Sequence, residues 1–210
     1  NNLSRWYNQF FKRAFDLSVA TVGTIAISPI LLGIAIAIKA SSPGPAFYAH
    51  RRIGKDGIYF NCYKFRSMVV DSDRRLQEYL RANPEAAKEW EETHKLKHDP
   101  RVTKIGAFLR KTSLDELPQL FNVIRGQMSL VGPRPIVDEE VIKYDVFFSD
   151  YTMVRPGMTG LWQTSGRSDT SYSRRVRLDA WYVRNWNIWL DISLLVKTVR
   201  VVLSSHSGAY

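Results

Sequence analysis

The sequence predicts an α+β protein, mainly helical, with one small β-hairpin, an N-terminal membrane helix and amphipathic helices suited to an interface. Three observations carry this reading. Residues 17–38 contain no charge, two aromatic and β-branched segments flank Gly54-Lys55-Asp56-Gly57, and most of the remainder is charged or amphipathic helix-favouring sequence. The 210 residues suffice for one domain with a real core, and 45% hydrophobic with 24% charged residues excludes wholesale disorder, a collagen-like chain and an all-helical membrane bundle.

The apolar block comes first. Its 22 residues would extend about 33 Å as a helix, against a hydrocarbon core of ~30 Å. Ser28-Pro29 lies at its midpoint, where proline removes a helix hydrogen bond and crowds the preceding turn, so a kink or break is expected there. Both flanks are basic, with Lys12 and Arg13 before and Lys39 after, and basic residues prefer the cytoplasmic side. A re-entrant insertion satisfies both features; a spanning helix with a tolerated kink satisfies the length alone, and the physics leaves the two open. A cleaved signal peptide fits less well, because no small-residue cleavage site is evident. Ser41-Ser42-Pro43-Gly44-Pro45 closes the block, dividing residues 1–40 from a polar region over 41–210.

Phe47–Ile53 and residues 58–68 form the expected hairpin, which puts Lys64 and Arg66 two apart on one face. Residues 71–97 read as a solvated helical pair interrupted at Pro84. Residues 181–205, with Trp186, Trp189, Leu190, Ile192, Leu194, Leu195 and Val199 around Lys197 and Arg200, read as an amphipathic helix. It serves either a membrane interface or the core.

Charge narrows the partner. Thirty Lys and Arg against 20 Asp and Glu give a net +10, which calls for nucleic acid, an anionic membrane or a phosphorylated small substrate. A single cysteine, Cys62, excludes an internal disulfide and a multi-Cys zinc site and indicates a reducing compartment; the four His lack ligand spacing. No phosphate-binding Gly-x-x-x-x-Gly-Lys loop and no dinucleotide fingerprint occurs.

The segment Ser113-Leu114-Asp115-Glu116-Leu117-Pro118-Gln119 carries the chemistry. Ser113 and Glu116 fit a capping box, but a helix beginning at Asp115 places Pro118 in the first turn, where its missing N–H costs nothing. That register sets a carboxylate at the positive end of a helix. A carboxylate can attack phosphorus to give an acyl phosphate, and an adjacent acid can ligate Mg²⁺. Arg134, between Pro133 and Pro135, is conformationally restricted, and Arg110, Lys111, Arg125, Lys64 and Arg66 would complete a diphosphate site. The glycine-rich stretches 126–135 and 155–163 read as tight turns, the second either shaping a substrate pocket or merely connecting elements.

Ser28-Pro29 within the apolar block, Lys64-Phe65-Arg66-Ser67-Met68, Asp115-Glu116-Leu117-Pro118-Gln119 and Pro133-Arg134-Pro135, in this order, resemble the bacterial polyprenyl-phosphate hexose-1-phosphate transferases over nearly the whole chain. The resemblance implies transfer of a sugar-1-phosphate from a UDP-sugar to undecaprenyl phosphate with release of UMP, in O-antigen, capsule or exopolysaccharide assembly. It implies a helix broken at Ser28 and Pro29 that re-enters the cytoplasmic face of the bacterial inner membrane. It gives Asp115 the role of nucleophile, through a phospho-sugar aspartyl intermediate, and Glu116 that of Mg²⁺ ligand. Lys64, Arg66, Arg110 and Arg134 fall at phosphate-binding positions, and Asp179 at a further acidic position of the substrate site. The tail from Trp186 to Ile192, closing in Gly208-Ala209-Tyr210, looks most like galactose-1-phosphate transferases, with glucose-1-phosphate the runner-up. Membrane lipids become partners and nucleic acid does not; assembly into a homo-oligomer stays open. Longer members carry extra N-terminal helices, and the start at Asn1 leaves open whether this is the catalytic end of such a protein. A non-enzymatic basic adaptor at a membrane surface is the reading from another class, and it leaves the acid pair among arginines unexplained.

Overall fold

The computed structural model describes residues 2–93, 96–165 and 171–203. Helix α1, Trp6–Ser41, runs unbroken through Pro29, so the break expected at Ser28 and Pro29 is not present, and the helix is long and apolar enough to cross a membrane. Proline 29 has no N–H for the Ile25 carbonyl one turn back, and the Ser28 hydroxyl donates to that oxygen at 2.8 Å instead. The Ser-Pro pair therefore keeps the backbone satisfied in an apolar setting.

Both ends of α1 rest on the rest of the chain. Lys12, Asp16 and Ala20 are buried near its start, and Leu31 and Ile38 near its end. The other face is uncovered, with Val22, Ile25, Leu32 and Ile36 all more than half exposed. An apolar face of this length left bare signals a membrane or a partner rather than water.

Strands β1 (Phe47–Ile53) and β2 (Tyr59–Phe65) pair antiparallel, from Phe47 opposite Phe65 to Ile53 opposite Tyr59. The second strand stops three residues short of Met68. At Arg66 the amide still reaches the Ala46 carbonyl at 2.8 Å, after which Ser67 turns to serve the next helix. Helices α2 (Ser72–Ala82) and α3 (Pro84–Thr93) follow, with Pro84 opening α3 as expected for a residue lacking a donor.

Helix α4 (Lys104–Thr112) is capped by the Thr103 hydroxyl, which accepts from the Gly106 amide at 3.0 Å. A Cβ on Gly106 would lie 1.9 Å from the Ser67 carbonyl oxygen, so only glycine permits α4 to lie this close to the end of β2. Ser113, at φ 57°, ends α4 in the left-handed region. A 3₁₀ turn, Leu114–Glu116, then leads to α5, Gln119–Ile124. The α-helix therefore begins after Pro118 rather than at Asp115. The cause is the left-handed residue at 113, which starts the acid pair on a tighter turn and delays the regular helix by one turn.

The two glycine-rich stretches are more than turns. Ser129–Val131 (β3) pairs in parallel with Gly157–Thr159 (β4), and Gly157 donates to the Pro133 carbonyl at 2.7 Å. Between them lie α6 (Asp138–Tyr144) and α7 (Phe148–Thr152). The expected tail helix is two: α8 (Tyr172–Asn185) and α9 (Ile188–Leu203), turning at Trp186. Trp186, Asp191 and Leu194 are buried in the core, while Trp189, Val196 and Val199 face outward, so α9 has an inner face packed on the body and an outer apolar one. The end of the expected tail, including Gly208-Ala209-Tyr210, lies outside the described residues.

Leu120, Val123, Met128, Leu130, Val131, Tyr182 and Val183 form the principal core, joined by Ala20 of α1. A second cluster joins Leu31 and Ile38 to Phe65 and Leu109. The acid pair lies in the chain between helices that these two clusters hold against α1.

Candidate active site

The site is assembled from β2, the 3₁₀ turn and the loop after β3. Asn122 of α5, fully buried, receives the Tyr63 amide at 3.0 Å and donates to the Asn61 carbonyl at 2.7 Å, which fixes α5 against β2. Arg13 of α1 donates to the Val123 and Ile124 carbonyls at 2.6 and 2.9 Å and so closes the C-terminal end of α5. With both ends held, Lys64 reaches Glu116 at 2.6 Å.

Asp115 is 9% exposed, and burial pushes its carboxyl up to about 6. The Lys64 and Arg110 charges pull it down, and the neighbouring Glu116 raises it further. Arg110 is held by its Nε donating to the Ser67 hydroxyl at 2.8 Å. The acid is thus ionised at neutral pH yet poorly solvated, a state suited to nucleophilic attack.

Lys64 and Glu116 line a small recess together with Arg52, Gln119, Arg134 and Gln163. Arg134 lies 3.7 Å from Glu140, and Arg52 lies 3.8 Å from the other oxygen of the same carboxylate. Two guanidinium groups sharing one acid leave excess positive charge facing the recess. Burial and the Arg134 charge lower the affinity of Arg52 for its proton, and burial with Arg52 and Lys64 does the same to His50. Such a concentration of cations is matched by a polyanion such as a diphosphate.

Asp179 stands behind Arg134. It is 2% exposed, receives the Tyr144 hydroxyl at 2.8 Å, and is pushed by burial up to about 8 against the opposing effects of Tyr144 and Arg134. It supports the loop carrying Arg134 and does not line the recess.

Arg66 is placed differently from the expectation. One residue beyond β2, it donates to the Ser42 carbonyl and hydroxyl at 2.9 Å each and to the Pro43 carbonyl at 2.6 Å, and it is 7% exposed. Its guanidinium ties down the linker that follows α1 and is not in the recess with Lys64. Arg52, His50, Gln119 and Gln163 were not singled out by the sequence. Arg52 had a usable signal, since the antiparallel pairing, with His50 opposite Cys62, puts Arg52 and Lys64 on one face of the hairpin, but only the fold of the β3 loop brings Arg134 to them.

Among the described residues, no cluster of three or more His, Cys, Asp or Glu forms a cage for a metal. The adjacent carboxylates of Asp115 and Glu116 beside a cationic recess fit a divalent ion shared with substrate phosphate, since Mg²⁺ takes one or two carboxylates and completes its shell with phosphate oxygens and water.

The structure thus joins a long helix with a bare apolar face, of the kind that associates with a membrane, to an acid pair set among fixed cations. The family model described as bacterial sugar transferase matches residues 7–205. The chain belongs to that family. It is 53% identical to the UDP-galactose-lipid carrier transferase of Erwinia amylovora and 51% identical to the undecaprenyl-phosphate galactose phosphotransferase of Salmonella typhimurium, in each case over 100% of this chain and 44% of the relative. It is also 51% identical to the exopolysaccharide production protein ExoY of Sinorhizobium fredii, over 95% of this chain and 88% of that protein. The chain spans under half the length of the first two of these relatives.

Proposed function

We propose that this chain transfers hexose-1-phosphate, with galactose as the hexose, from a UDP-sugar to undecaprenyl phosphate, releasing UMP. The observation that carries the proposal is Asp115, buried near Lys64 and Arg110 and adjacent in the chain to Glu116, which lines the recess with Lys64, Arg52 and Arg134. The Asp115 carboxylate attacks the phosphorus bearing the sugar. A P–O bond forms, the bond to the UMP oxygen breaks, and UMP leaves with the electron pair. An oxygen of undecaprenyl phosphate then attacks the same phosphorus, the aspartyl P–O bond breaks, and the carboxylate is regenerated. Lys64, Arg52 and Arg134 offset phosphate charge throughout, with Arg110 doing so at Asp115. Mg²⁺, when held by Glu116 and substrate phosphate, supplies further charge neutralisation. Galactose as the sugar is supported by the similarity to the two galactose transferases of Erwinia amylovora and Salmonella typhimurium.

The same proposal places α1 as a re-entrant element in the cytoplasmic face of the bacterial inner membrane. Re-entry requires the continuous α1 to bend at Ser28-Pro29 on meeting the membrane; its support is that residues near both ends of α1 pack on one body. The basic residues at both flanks agree with a cytoplasmic position for each end. Surface-polysaccharide assembly follows as the role, because a lipid-linked sugar diphosphate is an initiating product for it.

The experiment is UMP release from a panel of UDP-hexoses with undecaprenyl phosphate and Mg²⁺. UDP-galactose is expected to be the best donor, and Asp115→Asn to abolish release while UDP-sugar binding persists. Release from UDP-glucose in preference would reassign the sugar, and no release from any UDP-hexose would leave the adaptor reading.

A further inference from the structure

The recess contains a polar atom that none of its cations satisfies. Gln163 Oε1 is buried and accepts no hydrogen bond, while its Nε2 is 3.4 Å from the Met158 carbonyl oxygen. The backbone sets this position. A Cβ on Gly160 would lie 2.5 Å from the Gly132 carbonyl oxygen and 3.1 Å from Gln163 Oε1, so the glycine lets the turn after β4 close on the loop leading to Arg134.

The neighbouring donors are committed elsewhere. Lys64 serves Glu116, and Arg52 is directed to the Pro135 carbonyl and His50. A buried acceptor without a donor costs about 1–3 kcal/mol, so the arrangement calls for a donor that arrives with a ligand. Phosphate oxygens are acceptors and do not meet this need; hydroxyl and N–H groups do.

We propose that Gln163 is a specificity-determining residue whose Oε1 accepts a hydrogen bond from an uncharged O–H or N–H of the nucleotide sugar, while the cations of the recess hold its phosphates. This rests on the reading of the recess as a nucleotide-sugar site. Sites built to accept such a hydrogen bond discriminate strongly against ligands lacking the group.

Gln163→Met and Gln163→Ala test the proposal in the full chain held in detergent. Binding of UDP-galactose, UDP and inorganic pyrophosphate is measured beside UMP release and thermal melting. The expected result is a KM for UDP-galactose raised about tenfold, with pyrophosphate binding unchanged. The ligand-free Gln163→Met protein should melt no lower than wild type, because the substitution removes an unpaired buried acceptor. A purely structural glutamine would lower the melting temperature instead. If UDP weakens along with UDP-galactose, the donor group is on the nucleoside; if only UDP-galactose weakens, it is a hexose hydroxyl. Unchanged KM in both variants, or equal weakening of pyrophosphate, overturns the proposal. Wild-type protein that binds UDP-galactose without releasing UMP would instead overturn the transfer reaction and leave the role of Gln163 measurable by binding.

Discussion

Lys64 donates to Glu116 at 2.6 Å, joining the end of β2 to the turn that carries Asp115. The two partners act on Asp115 with opposite sign, Lys64 lowering and Glu116 raising its affinity for a proton.

Removing them one at a time should therefore move the acid limb of kcat/KM in opposite directions. In the free protein Asp115 loses its proton at about 6, and in the proposed reaction only its carboxylate attacks. Lys64→Met should shift the limb to higher pH and Glu116→Gln to lower pH, each with a rate loss on the order of 10²-fold or more. Glu116→Gln should also raise the Mg²⁺ concentration needed for half-maximal rate, and chelation should abolish turnover in both variants and wild type. A pH–rate series for UMP release checks the signs; parallel shifts would separate the limb from Asp115.

Asp179 gives a pH dependence of stability distinct from activity. Its carboxyl is pushed to about 8 in the fold from an ordinary value of 3.8, so the folded state binds the extra proton between those limits. Stability contributed by this group therefore falls as pH rises from about 4 towards 8 and levels off above that. Asp179→Asn keeps a neutral partner for Tyr144, and should remove a loss of about 2 kcal/mol between pH 6 and 8. Melting curves at several pH values read this directly, and an unchanged pH slope would reject it.

The hairpin, the break at Pro84 and the location of the acid pair were legible because each depends on local chemistry: alternating aromatic and β-branched residues, a missing amide, adjacent carboxylates. The pairing of β3 with β4 was not legible, since strands of three residues carry no measurable alternation and a parallel pair depends on a long connection. Asp115 was read into the first turn of a helix because nothing in the sequence marks Ser113 as left-handed; a glycine there would have done so. Arg66 was read as a phosphate ligand because its spacing from Lys64 is that of one strand face. The strand ends at Phe65, and that single residue redirects the guanidinium from the recess to the linker.

That redirection predicts what Arg66 does. Its planar fork spans the Ser42 and Pro43 carbonyls, a geometry that lysine cannot reproduce. Arg66→Lys should cost about 2 kcal/mol of stability by losing the charge-assisted hydrogen bonds of a buried guanidinium to the linker, with little change in KM for the UDP-sugar. Thermal melting beside steady-state kinetics separates the two roles. A raised KM at unchanged melting temperature would return Arg66 to phosphate binding.

The last prediction concerns how α1 is fastened at its start. Lys12 donates to Asp191 Oδ2 at 2.6 Å, and the same carboxylate receives Tyr182 at 2.6 Å and Trp186 at 3.1 Å, so α1, α8 and α9 meet at one fully buried acid. A buried ion pair gains little over an apolar substitute, but removing one partner strands the other charge. Asp191→Asn should cost about 3 kcal/mol, because Lys12 loses its 2.6 Å partner and keeps only Asp16 at 3.9 Å. Lys12→Met combined with Asp191→Asn should recover only part of that loss, since the buried Asp16, 3.9 Å from Lys12, loses its counter-charge as well. Because Arg13, the next residue of α1, closes α5 behind the acid pair, Asp191→Asn alone should lower UMP release more than a comparable loss of stability elsewhere. A double-mutant cycle on melting temperature, with activity measured on each variant, tests both parts. Additive effects of the two substitutions would show that Lys12 and Asp191 do not act as a pair.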